Sequence, residues 1–142
     1  MEDVHAAVAA QLAQVSQRYT EQRRALVAVL AEAGRPLGIT EVRDASRLPQ
    51  SSVYRNLAVL EQAGAVHRVH TAGDAVHYEL AEEHTEHHHH LVCSVCGTVT
   101  DYSMSETLER SMAKAAAEVA AQTGFRAAHH RVDLFGVCAD CT

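Results

Sequence analysis

Four cysteines and a run of histidines hold the chemistry of this chain. Cys93-Ser94-Val95-Cys96 and Cys138-Ala139-Asp140-Cys141 are two C-x-x-C pairs. Two intervening residues let both thiolates of a pair reach one ion from a single turn, and a second pair completes a tetrahedron. That pattern points to one structural Zn²⁺. A redox pair of the thioredoxin type should open a helix after a strand. Here the first pair lies between two expected strands and the second at the end of the sequence, so metal ligation is the stronger reading. Upstream lies Glu82–His90, EEHTEHHHH. On a strand, alternate side chains share a face. His88 and His90 then point one way and His87 and His89 the other, so each pair can serve a different ion. Imidazole with carboxylate suits Zn²⁺, Fe²⁺, Ni²⁺ or Mn²⁺. The plainer alternative is a polar linker that collects metal only at high concentration.

The charge distribution agrees with two modules. The 142 residues carry a net charge of −6. Residues 1–71 hold eight basic against seven acidic side chains, and residues 72–142 four against eleven. Ten of the eleven histidines lie between His67 and His130. An acidic, histidine-rich half suits cations, while the first half can still meet an anionic polymer. The opening MEDVHAAVAA lacks a basic n-region, and no apolar run is long enough for a bilayer, so a cytoplasmic protein with reduced thiols is expected.

The elements that must position these residues follow from periodicity. A first helix is expected over Val4–Ser16. A second is capped by Thr20, carries Leu26, Val27 and Leu30, and stops at Gly34. Pro36 and Gly38 mark a turn, and a short third helix capped by Thr40 runs through Ser46. A fourth is capped by Ser51 or Ser52, carries Val53, Leu57 and Leu60, and stops at Gly64. Two strands around Ala72-Gly73-Asp74 form a hairpin. Helices followed by such a hairpin make a winged helix-turn-helix. Residues 81–86 read as a linker. Beyond them come a strand over His88–Val92, a second over Thr98–Tyr102, a helix opened by a capping box at Ser103–Glu106 and ended at Gly124, and a last strand over Val132–Val137. The fold class is α+β, with a winged helix-turn-helix domain (1–80), a hinge (81–86) and a small α/β domain (87–142). The fourth helix opens with Ser51-Ser52-Val53-Tyr54-Arg55. Recognition helices read bases with their N-terminal residues. Arg55 suits guanine, Tyr54 a thymine methyl, and Ser51, Ser52 and Arg23 suit phosphates.

These motifs together resemble the ferric uptake regulator family of metal-dependent repressors, and most closely its zinc uptake regulator branch. The resemblance runs from about Tyr19 to Cys141. It rests on T-x-Q-R at Thr20–Arg23, S-x-V-Y-R-x-L at Ser51–Leu57 and H-x-H-L-V-C-x-x-C-G at His88–Gly97. It also rests on G-F-x-x-x-x-H at Gly124–His130 and F-G-x-C-x-x-C at Phe135–Cys141. It implies a homodimer that binds double-stranded, inverted-repeat operator DNA, with no membrane association. Cys93, Cys96, Cys138 and Cys141 would hold structural Zn²⁺. A regulatory hinge site would use His88 and His90, a residue from the hairpin and an acid upstream. A third site would use His87, His89, His130 and an acid of the long helix.

The sequence departs from the family pattern at several positions. Arg35 stands where iron and peroxide sensors carry a histidine. His67 stands where zinc sensors begin the hairpin with a ligand, and His70 resembles a hairpin histidine of nickel-responsive members. The expected hinge set is therefore His67, Glu83, His88 and His90, with Glu82 rivalling Glu83. For the third site Glu109 is expected, with Glu106 and Asp101 as rivals. The expected function is a non-enzymatic, metal-responsive repressor, with Zn²⁺ as the second, sensed ion and Fe²⁺ or Ni²⁺ as alternatives. A peroxide sensor is the nearest rival. A zinc hydrolase needs a base and an open metal position but would lack an H-E-x-x-H helix, and a metal buffer would leave Tyr54-Arg55 unexplained.

Overall fold

The computed structural model describes residues 2–142 apart from 72 and 74. The expected turn at Ala72-Gly73-Asp74 thus lies partly outside the described residues. The N-terminal unit contains α1 (Glu2–Gln14), α2 (Glu21–Ala33), β1 (Leu37–Gly38), α3 (Ile39–Ser46), α4 (Gln50–Gln62), β2 (Val66–His70) and β3 (Val76–Leu80). The strands form an antiparallel sheet in the order β1-β3-β2. Val8 and Leu12 of α1, Leu26 and Val27 of α2, Val42 of α3, and Val53, Leu57 and Leu60 of α4 are fully buried against one another. These positions recur at helical spacing, and their removal from water drives the unit together.

Helix boundaries follow local chemistry. Thr20 Oγ1 accepts from Arg23 N–H at 3.3 Å, and Gly34 ends α2 at φ 62°, a left-handed conformation that favours glycine. Two expected caps are corrected. α3 starts one residue before Thr40, because Gly38 occupies the cap and its N–H donates to Glu41 Oε1 at 3.2 Å. α4 starts at Gln50, because Pro49 supplies an extended cap whose carbonyl accepts from Val53 N–H at 3.0 Å. Pro36-Leu37-Gly38, expected as a turn, contributes the short β1 instead.

Residues 82–84, read as part of an unstructured linker, form a single 3₁₀ turn. The C-terminal unit then contains β4 (His89–Cys93), β5 (Val99–Tyr102), α5 (Glu106–Thr123) and β6 (Asp133–Gly136). The sheet order is β5-β4-β6, with β4–β5 antiparallel and β4–β6 parallel. α5 supplies the long crossover that the parallel pairing requires. Its cap is Ser105, whose Oγ accepts from Leu108 N–H at 3.3 Å. The capping box expected at Ser103–Glu106 is displaced, because Glu106 is the first helical residue and not the third. No helix among the described residues is long and apolar enough to cross a membrane.

The two units differ in how they are held. The N-terminal unit has a broad buried core. In the second cluster the buried apolar side chains are Val92 and Val99 with Val69 of the wing. Leu91, Leu108, Val119, Phe125, Leu134, Phe135 and Val137 are exposed on the C-terminal unit of the single chain.

Candidate metal centres and nucleic-acid interface

Parallel pairing of β4 with β6 sets Cys93 opposite Gly136, which carries Cys138 and Cys141 to the turn bearing Cys93 and Cys96. Gly97 closes that turn at φ 76°. All four thiols are free, and their Sγ atoms lie within 4.8 Å of one another. Cys96 and Cys138 Sγ are 3.8 Å apart. Zn–S bonds of about 2.3 Å give a tetrahedral S–S edge of about 3.8 Å, so the cluster has the size of a zinc site. The N–H groups of Cys96 and Cys138 approach Cys93 Sγ at 3.5 and 3.4 Å and pull that thiol down to about 6. Cys141 is pushed up to about 12, first by its contact with Cys138 and then by burial. One thiolate therefore forms readily and the last resists. A divalent cation removes that conflict, because it favours the ionised form of every ligand.

Alternation along β4 separates the histidines as expected. His87, His89, Glu109 and His130 form one group with ligand atoms within 4.8 Å. Glu109 on α5 is its centre: its carboxylate lies 2.6 Å from His89 Nε2, 3.2 Å from His87 Nε2 and 2.9 Å from His130 Nε2. His87 and His130 Nε2 are 3.2 Å apart. The expected third set is thus brought together, and neither rival, Glu106 nor Asp101, belongs to it. His129 is exposed and outside it.

The other face carries a different set from the one expected. Glu79, His88, His90 and Asp101 gather within 4.8 Å. Glu79 comes from wing strand β3. Asp101 comes from β5, directly opposite His90 in the register. His88 Nε2 is 2.9 Å from Glu79 Oε2, and His90 Nε2 is 3.0 Å from Glu79 Oε1 without hydrogen-bond alignment. His90 Nε2 and Asp101 Oδ1 are buried without a hydrogen-bond partner. Buried polar atoms are nearly always satisfied. Two orphans converging with a carboxylate and a second imidazole therefore fit a divalent ion with nitrogen and oxygen ligands.

His67 and Glu83 are corrections. His67 sits opposite Glu79 on β2 but is exposed and outside the group. Glu83 leaves the hinge in another direction, and its Oε1 accepts from Gln11 Nε2 at 2.5 Å. Glu82 turns to His87 Nδ1. The 3₁₀ turn splays these acids, so neither reaches His88. His70 is also exposed and outside every group. Glu79 could have been found from alternation: Tyr78 and Leu80 of β3 are buried in the winged unit, which turns Glu79 outward. Asp101 required the β4–β5 register.

Electrostatics mark this hinge group. For Glu79 burial opposes ionisation, but the close His90 and His88 imidazoles, the latter hydrogen-bonded to it, outweigh burial and lower the carboxyl. For His88 and His90 burial again opposes the charge. The Glu86 carbonyl and Glu79 prevail at His88, and Glu79 with Asp133 at His90, so both imidazoles are raised. Burial raises Asp101.

On the candidate nucleic-acid face, Ser51, Tyr54 and Arg55 are exposed at the start of α4. Ser52 is buried, and its carbonyl accepts from Asn56 Nδ2 at 2.9 Å, which corrects its assignment to phosphate. Arg23 is corrected too. Its Nε donates to Asn56 Oδ1 at 3.0 Å, and its Nη1 to Gln17 Oε1 at 3.2 Å and to the Arg18 carbonyl at 2.8 Å. It ties the start of α2 to α4. Asn56, which the sequence reading did not single out, is buried and also donates to Gln22 Oε1 at 3.0 Å. Asn56→Ala should destabilise the N-terminal unit by about 1–3 kcal/mol, because Arg23 loses a buried acceptor. Urea unfolding followed by helix signal measures this, and an unchanged midpoint refutes it.

Residues 14–135 match the ferric uptake regulator family. The chain belongs to that family. It is 36% identical over 91 residues to the ferric uptake regulation protein of Neisseria meningitidis serogroup B, an overlap of 64% of this chain and 58% of the relative. It is 34% identical over 93 residues to the peroxide operon regulator of Bacillus subtilis, covering 65% and 58%. The chain thus spans less than two thirds of these relatives' length. The structure of the Helicobacter pylori ferric uptake regulator Fur, described as having three functional metal binding sites, superposes with a TM-score of 0.77. It is 26% identical, and the match covers 99% of this chain and 92% of that one.

Proposed function

We propose that this protein is a homodimeric, metal-responsive transcriptional repressor, with Zn²⁺ as the first assignment for the sensed ion. The observation that carries this reading is the hinge group. It takes Glu79 from the wing and His88, His90 and Asp101 from the C-terminal unit, so one ion bound there joins the two. Such an ion fixes the wing and α4 relative to the dimer core, and with them the spacing of the two recognition helices. Ser51, Tyr54 and Arg55 then meet double-stranded operator DNA. The exposed Leu91, Leu134, Phe135 and Val137 fit a second copy, since apolar surface of this kind marks an interaction site. The third group would hold a further divalent ion, and the four cysteines structural Zn²⁺.

Coupling between ion and operator is reciprocal and typically worth about 1–3 kcal/mol, or about 5–150-fold in affinity. Operator binding of the metal-depleted protein, measured with buffered Zn²⁺, Fe²⁺, Ni²⁺ and Mn²⁺ in turn, should show that gain for Zn²⁺. Recovery with Fe²⁺ and not Zn²⁺ overturns the zinc assignment. No gain with any ion overturns the repressor reading.

A second reading has specific support. Two carboxylates in the hinge group suit Fe²⁺ as well as Zn²⁺, and the relatives include ferric and peroxide regulators. Peroxide treatment of the Fe²⁺-loaded protein would then add one oxygen to His88 or His90, visible by mass spectrometry. A zinc hydrolase has less support, because the four side chains of the hinge group, drawn from two structural units, would fill the positions of a tetrahedral ion that a catalytic site keeps open.

A further inference from the structure

The turn Glu82-Glu83-His84 sends adjacent side chains to opposite units. Glu82 Oε1 contacts His87 Nδ1, while His87 Nε2 faces Glu109 and His130 in the third group. Glu83 and His84 go the other way. Glu83 Oε1 accepts from Gln11 Nε2 at 2.5 Å, and His84 Nε2 lies 2.7 Å from Gln11 Oε1. The same Gln11 Nε2 reaches the Gly64 carbonyl at 3.3 Å, at the end of α4. The backbone of the turn is anchored as well: Ala81 N–H donates to the Ala65 carbonyl at 2.9 Å, and Thr85 N–H to the Glu82 carbonyl at 3.1 Å. Glu79, the wing's ligand to the hinge group, is three residues upstream.

We infer that Glu82 and Gln11 are positioning residues that strap the third metal group to the winged unit through the turn at residues 82–84. This rests on the third group's binding a divalent ion. Glu82 acts on the metal through His87. A carboxylate at Nδ1 fixes the tautomer and ring orientation that leave Nε2 free as a ligand, and losing such a partner typically costs about 10–100-fold in metal affinity. Holding His87 by its far nitrogen also holds Glu82, and with it the turn. Gln11 completes the strap, because one amide group meets Glu83, His84 and the end of α4 together. An ion in the third group thereby orders the segment that presents Glu79.

The test uses full-length protein with its cysteine site filled. Zn²⁺ is titrated against a chelator, ions bound per chain are counted, and amide exchange is followed at His84 and Thr85. In the native protein these amides should exchange at least about tenfold more slowly once the third group fills. His130→Ala should bind one ion fewer and lose that protection. Glu82→Gln should bind the third ion about 10–100-fold more weakly, as for other carboxylate partners. Gln11→Leu should lose the protection and, by reciprocity, bind the third ion more weakly by about the factor of protection lost. If His130→Ala binds as many ions as the native protein, the third site is refuted, and the strap with it. If the ion count falls but exchange at His84 and Thr85 stays as in the native protein, the strap alone is refuted. Native affinity in Glu82→Gln refutes the role of Glu82.

Discussion

Replacing Cys138 with Ser should unfold residues 87–142 and leave the winged unit standing. The reason is the imbalance between the two cores. The N-terminal unit buries side chains from all four of its helices. The C-terminal unit has Val92 and Val99 buried beside Val69, while Phe125, Leu134, Phe135 and Val137 stay exposed in the single chain. Fully burying one such side chain contributes roughly 1.5–3 kcal/mol, which does not offset the roughly 1–2 kcal/mol per residue lost in ordering the backbone. Structural zinc in small domains contributes about 10–16 kcal/mol at neutral pH. The four-cysteine cluster is where such an ion would act, because it joins the β4–β5 turn to the segment after β6. The apolar surface that the proposed dimer would bury exists only while that sheet is assembled. The variant should therefore run as a monomer in gel filtration, lose protection from amide exchange across β4–β6, and keep a separate cooperative transition for residues 2–70. A dimeric Cys138→Ser protein with native exchange in β4 would sink the idea.

Elements with strong local signals were legible in the sequence. The bounds of α2 follow from Thr20 and Gly34, and the wing from alternation in Val66–His70 and Val76–Leu80. The sorting of four consecutive histidines onto two faces needed only the two-residue period of a strand. Long-range pairings were less accessible. Asp101 joins His90 through a cross-strand register, and alternation on β3 turns Glu79 outward without telling that it meets His88. The family resemblance pointed to the linker acids, Glu82 and Glu83, whose side chains the 3₁₀ turn sends elsewhere. The same limit applies to Arg23. An arginine at a helix start reads as a phosphate contact until the buried Asn56 acceptor across the helix pair is known. Across elements, the groups covered by the family resemblance could be assigned, namely the four cysteines and His87, His89, Glu109 and His130; Asp101, Glu79 and the Arg23–Asn56 pair, which it did not cover, could not.

Metal affinity at the hinge should fall steeply with acid, and the sign follows from the shifts. His88 and His90 titrate above their ordinary 6.5, because Glu79 favours their charged forms against the opposing effect of burial. Glu79 titrates below its ordinary 4.5. In the metal-free protein the Glu79 carboxylate attracts both imidazolium groups, which repel each other less strongly. The histidine contribution to stability is full below 6.5 and is lost as pH rises through the raised values. The Glu79 contribution is present above 4.5 and is lost as pH falls through its lowered value. The metal-free hinge is thus most firmly held in the interval between, where protons occupy the places of the ion. An ion can bind only as both Nε2 atoms lose their protons, so each histidine imposes about a tenfold loss of apparent affinity per pH unit below its value, about 100-fold together. Chelator competition from pH 5.5 to 8 should show that slope flattening above the raised values. His90→Gln should fold, bind the hinge ion weakly, lose metal-dependent operator binding, and retain about half the slope. A flat profile would mean that the ion does not displace these protons and that the hinge ligands lie elsewhere. A steep one carries a further consequence by reciprocity: operator DNA, by tightening the ion, should drive the same two protons off at a lower pH.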